Sequence, residues 1–165
     1  MSSLVIDSPV GLIEIKGTEE FLTSALFIEK ASLPSIEKTP LLLTDTKRQL
    51  LEYFSGSRKS FDVPLQLDGT EFQKKVWTEL CNIPFGETIS YLELAKRLGD
   101  VKSIRAAGTA NGKNKISIIV PCHRVIGSDG SLTGYAGGMH RKDWLLRHEG
   151  GWPKHEQYSL FEAVQ

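Results

Sequence analysis

Apolar and polar residues alternate along the first third of the chain. The segment LVIDSPVGLIEIKG, residues 4–17, contains two short apolar runs joined at Asp7–Pro9, a pattern that predicts a β-hairpin. FLTSALFIE, residues 21–29, predicts a third strand. Apolar residues recur at helical spacing across TPLLLTDTKRQLLEYFSG, residues 39–56, and this favours a helix. FDVPLQLDG, residues 61–69, predicts a short strand before a linker.

From residue 70 onward the apolar spacing becomes that of helices. TEFQKKVWTELCNIP, residues 70–84, carries one apolar face. SYLELAKRLG, residues 90–99, opens with Ser90 in the spacing of a capping box. A short turn separates it from SIRAAGTANGKN, residues 103–114. These last two segments predict a helix-turn-helix.

The second helix of this pair has almost no bulky side chains. Its small residues are Ala106, Ala107, Gly108, Thr109, Ala110 and Gly112. Small residues let a helix backbone approach another surface closely, and that surface is either the neighbouring helix or a binding partner. Because small residues occupy every face, core packing alone does not explain them. We therefore expect one face to press against a partner.

The last part of the chain predicts a strand, a turned loop and a helix. The β-branched and apolar run at residues 118–120 predicts a buried strand that ends at Pro121. SDGSLTGYAGG, residues 128–138, is rich in turn residues and predicts a sharply turned loop. MHRKDWLLRHEG, residues 139–150, predicts a final helix, and residues 151–165 predict an extended tail.

Together these elements predict an α+β fold in two domains. Residues 1–67 would form a small N-terminal sheet-plus-helix domain, residues 68–150 a mainly helical domain that contains the helix-turn-helix, and residues 151–165 a flexible tail. The net charge is zero, with 20 basic and 20 acidic side chains. Basic side chains outnumber acidic ones by 12 to 9 in residues 68–150 but not in residues 1–67, where the counts are 7 and 9. This excess is a weak indication of nucleic-acid binding.

Composition excludes several classes of protein. The 165 residues are 40% hydrophobic and 24% charged, as in an ordinary globular protein. Two cysteines and four histidines without metal-ligand spacing argue against a disulfide framework or a zinc site. We expect no metal and no cofactor. The sequence shows neither a signal peptide nor an apolar run of about 20 residues, so we expect a cytoplasmic protein with reduced thiols.

The candidate chemistry lies in PCHRVIG, residues 121–127. A lone cysteine after an apolar run is often a small core residue, as we expect for Cys81, but the polar neighbours of Cys122 are a poor core filling. A thiol becomes a strong nucleophile when a base removes its proton. His123 is the adjacent candidate, although neighbouring side chains on a strand point to opposite faces, so a bend or a water would have to connect them. Glu149, in an apolar helix, is the candidate that orients the imidazole.

The motifs in this half of the chain resemble one family. PCHRVIG, then LTGYAGG at residues 132–138 and KDWLLRHEG at residues 142–150, looks like the O6-alkylguanine-DNA alkyltransferases, also called methylated-DNA–protein-cysteine methyltransferases. The upstream segments at residues 72–99 and 105–114 are similar to the family in order and spacing. For residues 68–150 the family implies a winged-helix-like DNA-binding domain. Residues 1–67 match only in general character, and the family implies a ribonuclease-H-like domain there.

The resemblance implies a role for each matching residue. Cys122 is the acceptor thiol, His123 takes its proton through a water, and Glu149 orients that histidine. Asn114 holds the turn near the active site. Tyr91 presses on the target phosphate and protonates the leaving guanine.

The resemblance also implies the surfaces that bind DNA and the flipped base. Arg105 fills the gap left by the flipped nucleotide, and the small-residue helix lies in the minor groove. The implied DNA-binding residues are Arg105, Tyr91, Ala106, Gly108, Thr109, Asn111 and Arg124. The implied walls of the substrate pocket are Val125, Gly134, Tyr135 and Ala136. Ala136 stands where some relatives carry serine, which leaves the substrate range open.

These roles imply direct-reversal DNA repair: one irreversible transfer of an alkyl group from O6-alkylguanine, and by extension from O4-alkylthymine, to Cys122 of a monomer. The alternative is a non-enzymatic alkyltransferase-like lesion-binding protein, but such relatives replace the cysteine. A helix-turn-helix regulator would need bulkier residues on its second helix, and a cysteine hydrolase would need an oxyanion hole. Residues Gln157–Phe161 resemble the bacterial sliding-clamp-binding pentapeptide, which makes a clamp a candidate partner.

Overall fold

The first part of the chain is an antiparallel sheet covered by one helix. The computed structural model describes residues 1–31 and 38–153. Strands β1 (Ser2–Ser8), β2 (Gly11–Gly17) and β3 (Leu22–Ile28) lie in the order β1-β2-β3. Ile6 pairs with Ile13, and this apolar face packs against helix α1 (Leu41–Ser55). The predicted hairpin, third strand and helix are confirmed.

The second part is mainly helical. Helix α2 (Glu71–Leu80) begins at a complete capping box, and Ser90 accepts a hydrogen bond from the Glu93 amide at the start of α3 (Tyr91–Arg97). Helix α4 (Ile104–Gly112) contacts both α2 and α3, so the predicted pair of helices is confirmed. The remaining elements are the 3₁₀ turns Val101–Ser103 and Cys122–Arg124, the two-residue parallel strands β4 (Ile89–Ser90) and β5 (Val125–Ile126), and helix α5 (Met139–Glu149).

The predicted strand at residues 118–120 is wrong. Only Ile116 pairs, through one isolated bridge to Ala25, and the chain then turns at Ile118 with φ = 72°. A β-branched residue in this left-handed region is strained, and here the side chain stays buried. The apolar residues of this run are therefore buried by a tight turn against the core rather than by a sheet.

Two further expectations are corrected. Residues 61–69 form no strand, because only Leu65 makes a single bridge, to Leu22 on β3. Cys81 was expected in the core, but it lies at the end of α2 and is exposed. Leu80 is the last buried residue of α2, and the helix ends there, so Cys81 is not part of its apolar face.

The edge of the N-terminal sheet supports the segment that carries the candidate chemistry. The Ala25 amide on β3 donates to the Lys115 carbonyl at 2.9 Å, and the Ser117 amide donates to the Ala25 carbonyl at 2.8 Å. This pairing ties the turn before Cys122 to β3. Within the described ranges, no helix combines the length and the apolar character needed to cross a membrane.

Candidate active site

A short loop closed by Asn114 delivers Cys122 to a buried position. The Asn114 side chain donates through Nδ2 to the Val120 carbonyl at 2.8 Å and to the Ile116 carbonyl at 3.2 Å, and its Oδ1 accepts from the Ile116 amide at 2.9 Å. One amide therefore ties together the turn that contains the strained Ile118. After Pro121 the chain forms the 3₁₀ turn Cys122–Arg124, in which all three side chains are buried.

The carboxylate of Glu149 is the hub of the site. Its Oε2 lies 2.8 Å from His123 Nε2 and accepts from Tyr53 Oη at 2.6 Å. Arg124 donates to both carboxylate oxygens, through Nε at 2.8 Å and Nη2 at 3.0 Å. Because a carboxylate only accepts, His123 carries its proton on Nε2 and leaves Nδ1 as the acceptor nitrogen.

Burial and pairing set the charges of this hub. Burial alone would raise the pKa of Glu149, but the hydrogen bonds and charges of His123 and Arg124 hold that pKa well below its usual range. Arg124 also donates to the Ile83 carbonyl at 2.6 Å, so its guanidinium is enclosed. Burial lowers the pKa of His123 and outweighs the opposing hydrogen bond and charge of Glu149. The imidazole is therefore neutral at pH 7.

The thiol of Cys122 needs help to ionise. Burial raises its pKa, while a hydrogen bond from Asn114 and the charge of Lys142 oppose that rise. Lys142 on α5 is fully buried, and its ammonium donates to the carbonyls of Val125 and Thr133, both at 2.7 Å. Burial lowers the pKa of Lys142 to about 8, so most of the ammonium stays charged at pH 7.

Three buried polar atoms near the thiol have no hydrogen-bond partner among residues 1–31 and 38–153. They are His123 Nδ1, Asn111 Oδ1 and Tyr135 Oη. The Asn111 amide is held in place by its donation to the Cys122 carbonyl at 3.3 Å. Buried polar groups are normally paired, so such a cluster indicates a place where a polar ligand completes the pairing.

The loop after Cys122 is held by the N-terminal sheet. Arg141 donates to the carbonyls of Val10 at 2.8 Å and Gly137 at 2.9 Å, and its guanidinium lies 4.6 Å from the ring centre of Phe27. Phe27 in turn packs edge-on against Tyr135. The glycine-rich loop is therefore braced from outside by β3 and the hairpin turn.

Tyr91 and helix α4 form the outer side of the site. Tyr91 Oη accepts from Thr133 Oγ1 at 3.1 Å, and its ring packs beside Gly108. Helix α4 buries Ala107, Ala110 and Asn111 and leaves Arg105, Ala106 and Thr109 exposed. The Ala110 carbonyl accepts from Trp77 Nε1 at 2.8 Å, which locks the inner face to α2.

Comparison with known families gives two matches that together span most of the chain. Residues 2–67 match the 6-O-methylguanine DNA methyltransferase ribonuclease-like domain, and residues 71–151 match the DNA-binding domain of the same family. The methylated-DNA–protein-cysteine methyltransferase of Methanosarcina acetivorans is 49% identical over 150 residues, which cover 88% of this chain and 96% of that protein. The chain belongs to the 6-O-methylguanine DNA methyltransferase family.

Solved structures of this family share the fold. The crystal structure of Mycobacterium tuberculosis OGT in complex with DNA is 45% identical, covers 91% of this chain and 93% of its own, and superposes with a TM-score of 0.83. The M. tuberculosis O6-methylguanine methyltransferase structure is 42% identical over 97% of this chain and 98% of its own, with a TM-score of 0.81. The α+β fold predicted from the sequence is confirmed.

Most residues expected at the methyltransferase site converge on one place. Cys122, His123, Glu149 and Asn114 lie together, and Tyr91 lies beside Lys142, whose ammonium is 5.9 Å from the centre of its ring. Tyr135 and Val125 border the thiol region, while Gly134 and Ala136 are exposed on the loop. Their individual roles stay predictions. The bend that sequence reasoning required is present as the 3₁₀ turn, in which the neighbouring side chains of residues 122 and 123 are both buried.

Two expected DNA contacts are corrected. Arg124 is 6% exposed, and its guanidinium is taken up by Glu149 and the Ile83 carbonyl, so it cannot reach a phosphate. Asn111 is 4% exposed and faces the Cys122 backbone from the inner side of α4. Both residues support the thiol segment from within the protein.

Two residues of the site escaped sequence reasoning. One face of α5 is buried and contains Lys142, Leu145, Leu146 and Glu149. Helical spacing alone could therefore have shown that Lys142 turns inward. Tyr53 likewise falls on the buried stripe of α1, but nothing local identifies its partner. In the part of the chain that the structure describes, no group of three or more histidine, cysteine or acidic side chains could hold a metal ion.

Proposed function

We propose that this protein is a methylated-DNA–protein-cysteine methyltransferase that repairs O6-alkylguanine in DNA by moving the alkyl group to Cys122. The observation that carries the proposal is a buried thiol next in sequence to a neutral histidine that is hydrogen-bonded to a carboxylate, all within the matched family domain. The names of the relatives, which are methylated-DNA–protein-cysteine methyltransferases, support the same reaction. One transfer consumes one molecule of protein.

The proposed transfer takes one proton from the Cys122 thiol and moves one alkyl group onto its sulfur. The Cys122 thiol gives its proton, through a bridging water, to His123 Nδ1, the ring nitrogen not engaged by Glu149. The thiolate attacks the alkyl carbon; the S–C bond forms while the bond from carbon to guanine O6 breaks. Guanine leaves as its anion takes up a proton, for which Tyr91 is our proposed donor. Lys142 and Asn114 favour the thiolate by charge and by hydrogen bonding.

The alkyl group lies inside the base stack, so the nucleotide must be extruded before the thiol can reach it. We propose that α4 enters the minor groove with its exposed face, where Ala106, Gly108 and Thr109 allow close approach, and that Arg105 fills the gap. The flipped base would lie against Val125, Gly134, Tyr135 and Ala136. The unpaired Tyr135 Oη and Asn111 Oδ1 support a polar ligand there. With few cationic contacts to phosphate, DNA binding should be modest and weakened by salt.

The acceptor assignment has a direct test, because trypsin places the two cysteines on different peptides. Cys122 falls in residues 116–124 and Cys81 in residues 76–96. After incubation with an oligonucleotide containing O6-methylguanine, only the peptide of residues 116–124 should gain the mass of one CH₂. Cys81→Ser should behave like the wild type, and Cys122→Ser should bind the lesion without gaining mass. An unmodified 116–124 peptide in the wild type would refute the proposal and favour the lesion-binding alternative.

Finer features of the function are also proposed. Activity on O4-alkylthymine is an extension of the same chemistry. We propose domains at residues 1–67 and 68–150, with a tail at 151–165, and the two family matches support the first boundary. A cytoplasmic monomer is favoured because the thiol must stay reduced and one chain contains every residue the reaction uses. The sliding-clamp segment Gln157–Phe161 lies outside the described residues; unchanged clamp binding after deletion of residues 156–165 would refute that partner.

A further inference from the structure

Tyr53 is the only side chain from residues 1–67 that forms a hydrogen bond with the Glu149 carboxylate in the described ranges. It lies on α1, 96 residues from Glu149 in sequence, and its hydroxyl donates to Glu149 Oε2 at 2.6 Å. The same oxygen faces His123 Nε2 at 2.8 Å. Tyr53 and His123 therefore share one acceptor atom, although the first belongs to the sheet-and-helix half of the chain.

The ring of Tyr53 packs in the core, whereas its hydroxyl binds the Glu149 carboxylate. The ring is fully buried and packs against Phe54, Phe61, Phe85 and His148. Those contacts need no hydroxyl, so core packing alone would be served by phenylalanine. Burial, together with the neighbouring Glu149 charge, raises the pKa of Tyr53 far above its usual value. The hydroxyl therefore keeps its proton near neutral pH and donates it to the carboxylate.

We propose that Tyr53 is a positioning residue for the alkyl transfer, which holds the Glu149 carboxylate against His123 and limits how strongly that carboxylate attracts the histidine's proton. The inference rests on the proposed function, in which His123 must be neutral to accept the thiol proton. A hydrogen bond donated to Oε2 withdraws negative charge from the atom that faces the imidazole. Removing it should make Glu149 a stronger partner for protonated His123 and raise the pKa of that histidine.

Other titratable groups also face this cluster, and none of them is altered by the substitutions at positions 53 and 46 that the experiment compares. Arg124 and Cys122 come from the 3₁₀ turn, Lys142 and His148 from α5, and Tyr135 from the glycine-rich loop. Lys142, whose pKa burial lowers to about 8, changes charge mainly at the alkaline end of the assay. His148 is a second imidazole beside Tyr53, with its Nε2 2.7 Å from the Tyr53 carbonyl, and its NMR signals must be told apart from those of His123. Repeating the comparison in a His148→Gln background removes that ambiguity.

The experiment compares Tyr53→Phe with Thr46→Val. Thr46 is on the same helix and equally buried, and its hydroxyl donates only to the Leu42 carbonyl, so its loss tests the removal of a buried hydroxyl in general. Single-turnover transfer to Cys122 is measured with O6-methylguanine DNA between about pH 5.5 and 8.5, the range in which a histidine titrates. Nitrogen NMR of the His123 ring gives its titration without any DNA.

For Tyr53→Phe we expect an upward shift of about half to one unit in the pKa of His123. Transfer should then slow progressively toward acid, approaching a limit of about three- to tenfold where the histidine is protonated in both proteins, and should stay within about twofold of the wild type at pH 8. The His123 resonances should titrate at correspondingly higher pH. The pH profile of transfer by Thr46→Val should have the same shape as that of the wild type. Placing 3-fluorotyrosine, a stronger donor, at position 53 should move the acid limb in the opposite direction, and this variant preserves the fold if Tyr53→Phe does not.

If Tyr53→Phe slows transfer by the same factor at every pH, or if it leaves the His123 titration unchanged, Tyr53 acts only in packing and the proposal is overturned. Failure of the proposed function has a different signature. In that case the wild-type Cys122 peptide gains no mass at any pH, while the NMR comparison still reports whether Tyr53 controls the histidine.

Discussion

Replacing Arg124 with methionine tests its reassignment from a DNA contact to a buried counter-charge. The guanidinium makes two hydrogen bonds to Glu149 and one to the Ile83 carbonyl while almost fully buried. Its loss would leave the carboxylate buried with only Tyr53 and His123 as donors. Removing one partner of a buried ion pair costs about 3–5 kcal/mol, and the two remaining donors favour the lower end.

The predicted loss is therefore about 3 kcal/mol in the free energy of unfolding, which lowers the melting temperature by roughly 6–12 °C in a protein of this size. The loss should shrink in acid. In the wild type the folded-state pKa of Glu149 lies below its unfolded value, so its stabilising contribution is present above about pH 4.5 and fades as the pH falls. Arg124→Met lacks most of this contribution, so the two stability curves should begin to approach each other below about pH 4.5 and converge only as the pH falls toward the depressed folded-state pKa of Glu149.

The assay is urea unfolding of Arg124→Met and of Arg105→Met, each at pH 7 and in mild acid, together with DNA binding at several salt concentrations. Arg105 is exposed on α4, so its replacement should change stability by no more than about 0.5 kcal/mol and weaken DNA binding. The reasoning is refuted if Arg124→Met is destabilised by less than about 1 kcal/mol. It is also refuted if the variant stays stable and its DNA binding becomes less dependent on salt, as removal of one phosphate contact would produce.

Two other substitutions probe the helix surface and the buried lysine. Gly108→Ala should raise the melting temperature, because alanine stabilises a helix by roughly 1 kcal/mol over glycine and the new Cβ would lie at an ordinary 3.6 Å from Tyr91. Gly108→Leu should instead weaken lesion binding, and equal DNA affinity would contradict the close approach of α4. For Lys142→Met, the folded-state pKa of Lys142, about 8, lies below the unfolded value, so the unfolded chain binds more protons between about pH 8 and 10.5. Wild-type stability should therefore gain up to about 3 kcal/mol relative to Lys142→Met across that window in urea unfolding, whereas parallel curves would show that Lys142 is not buried as a charge.

Local sequence patterns predicted most of the helices and strands, but they failed where an apolar segment is buried in a turn rather than in a sheet. The hairpin, the third strand and the helices follow from alternation, helical spacing and caps, which depend on neighbouring residues only. The run before Pro121 looked like a strand because it is apolar and β-branched. Asn114 instead folds it into a turn packed on the core, an outcome that hydropathy cannot distinguish from a buried strand.

What the sequence determined by itself is the set of groups that can do chemistry. Cys122 and His123 are adjacent in the chain, and Glu149 and the small residues of α4 lie in short motifs. The resemblance of these motifs to the alkyltransferases implied the family and the reaction. Only the tertiary structure decided which of these groups meet. Arg124 and Asn111 turned inward, and Tyr53 and Lys142 joined the site, because a buried charge is stable only where partners from distant segments surround it. Helical spacing tells which face of an element is buried, but the packing of elements far apart in the chain selects what that face contacts.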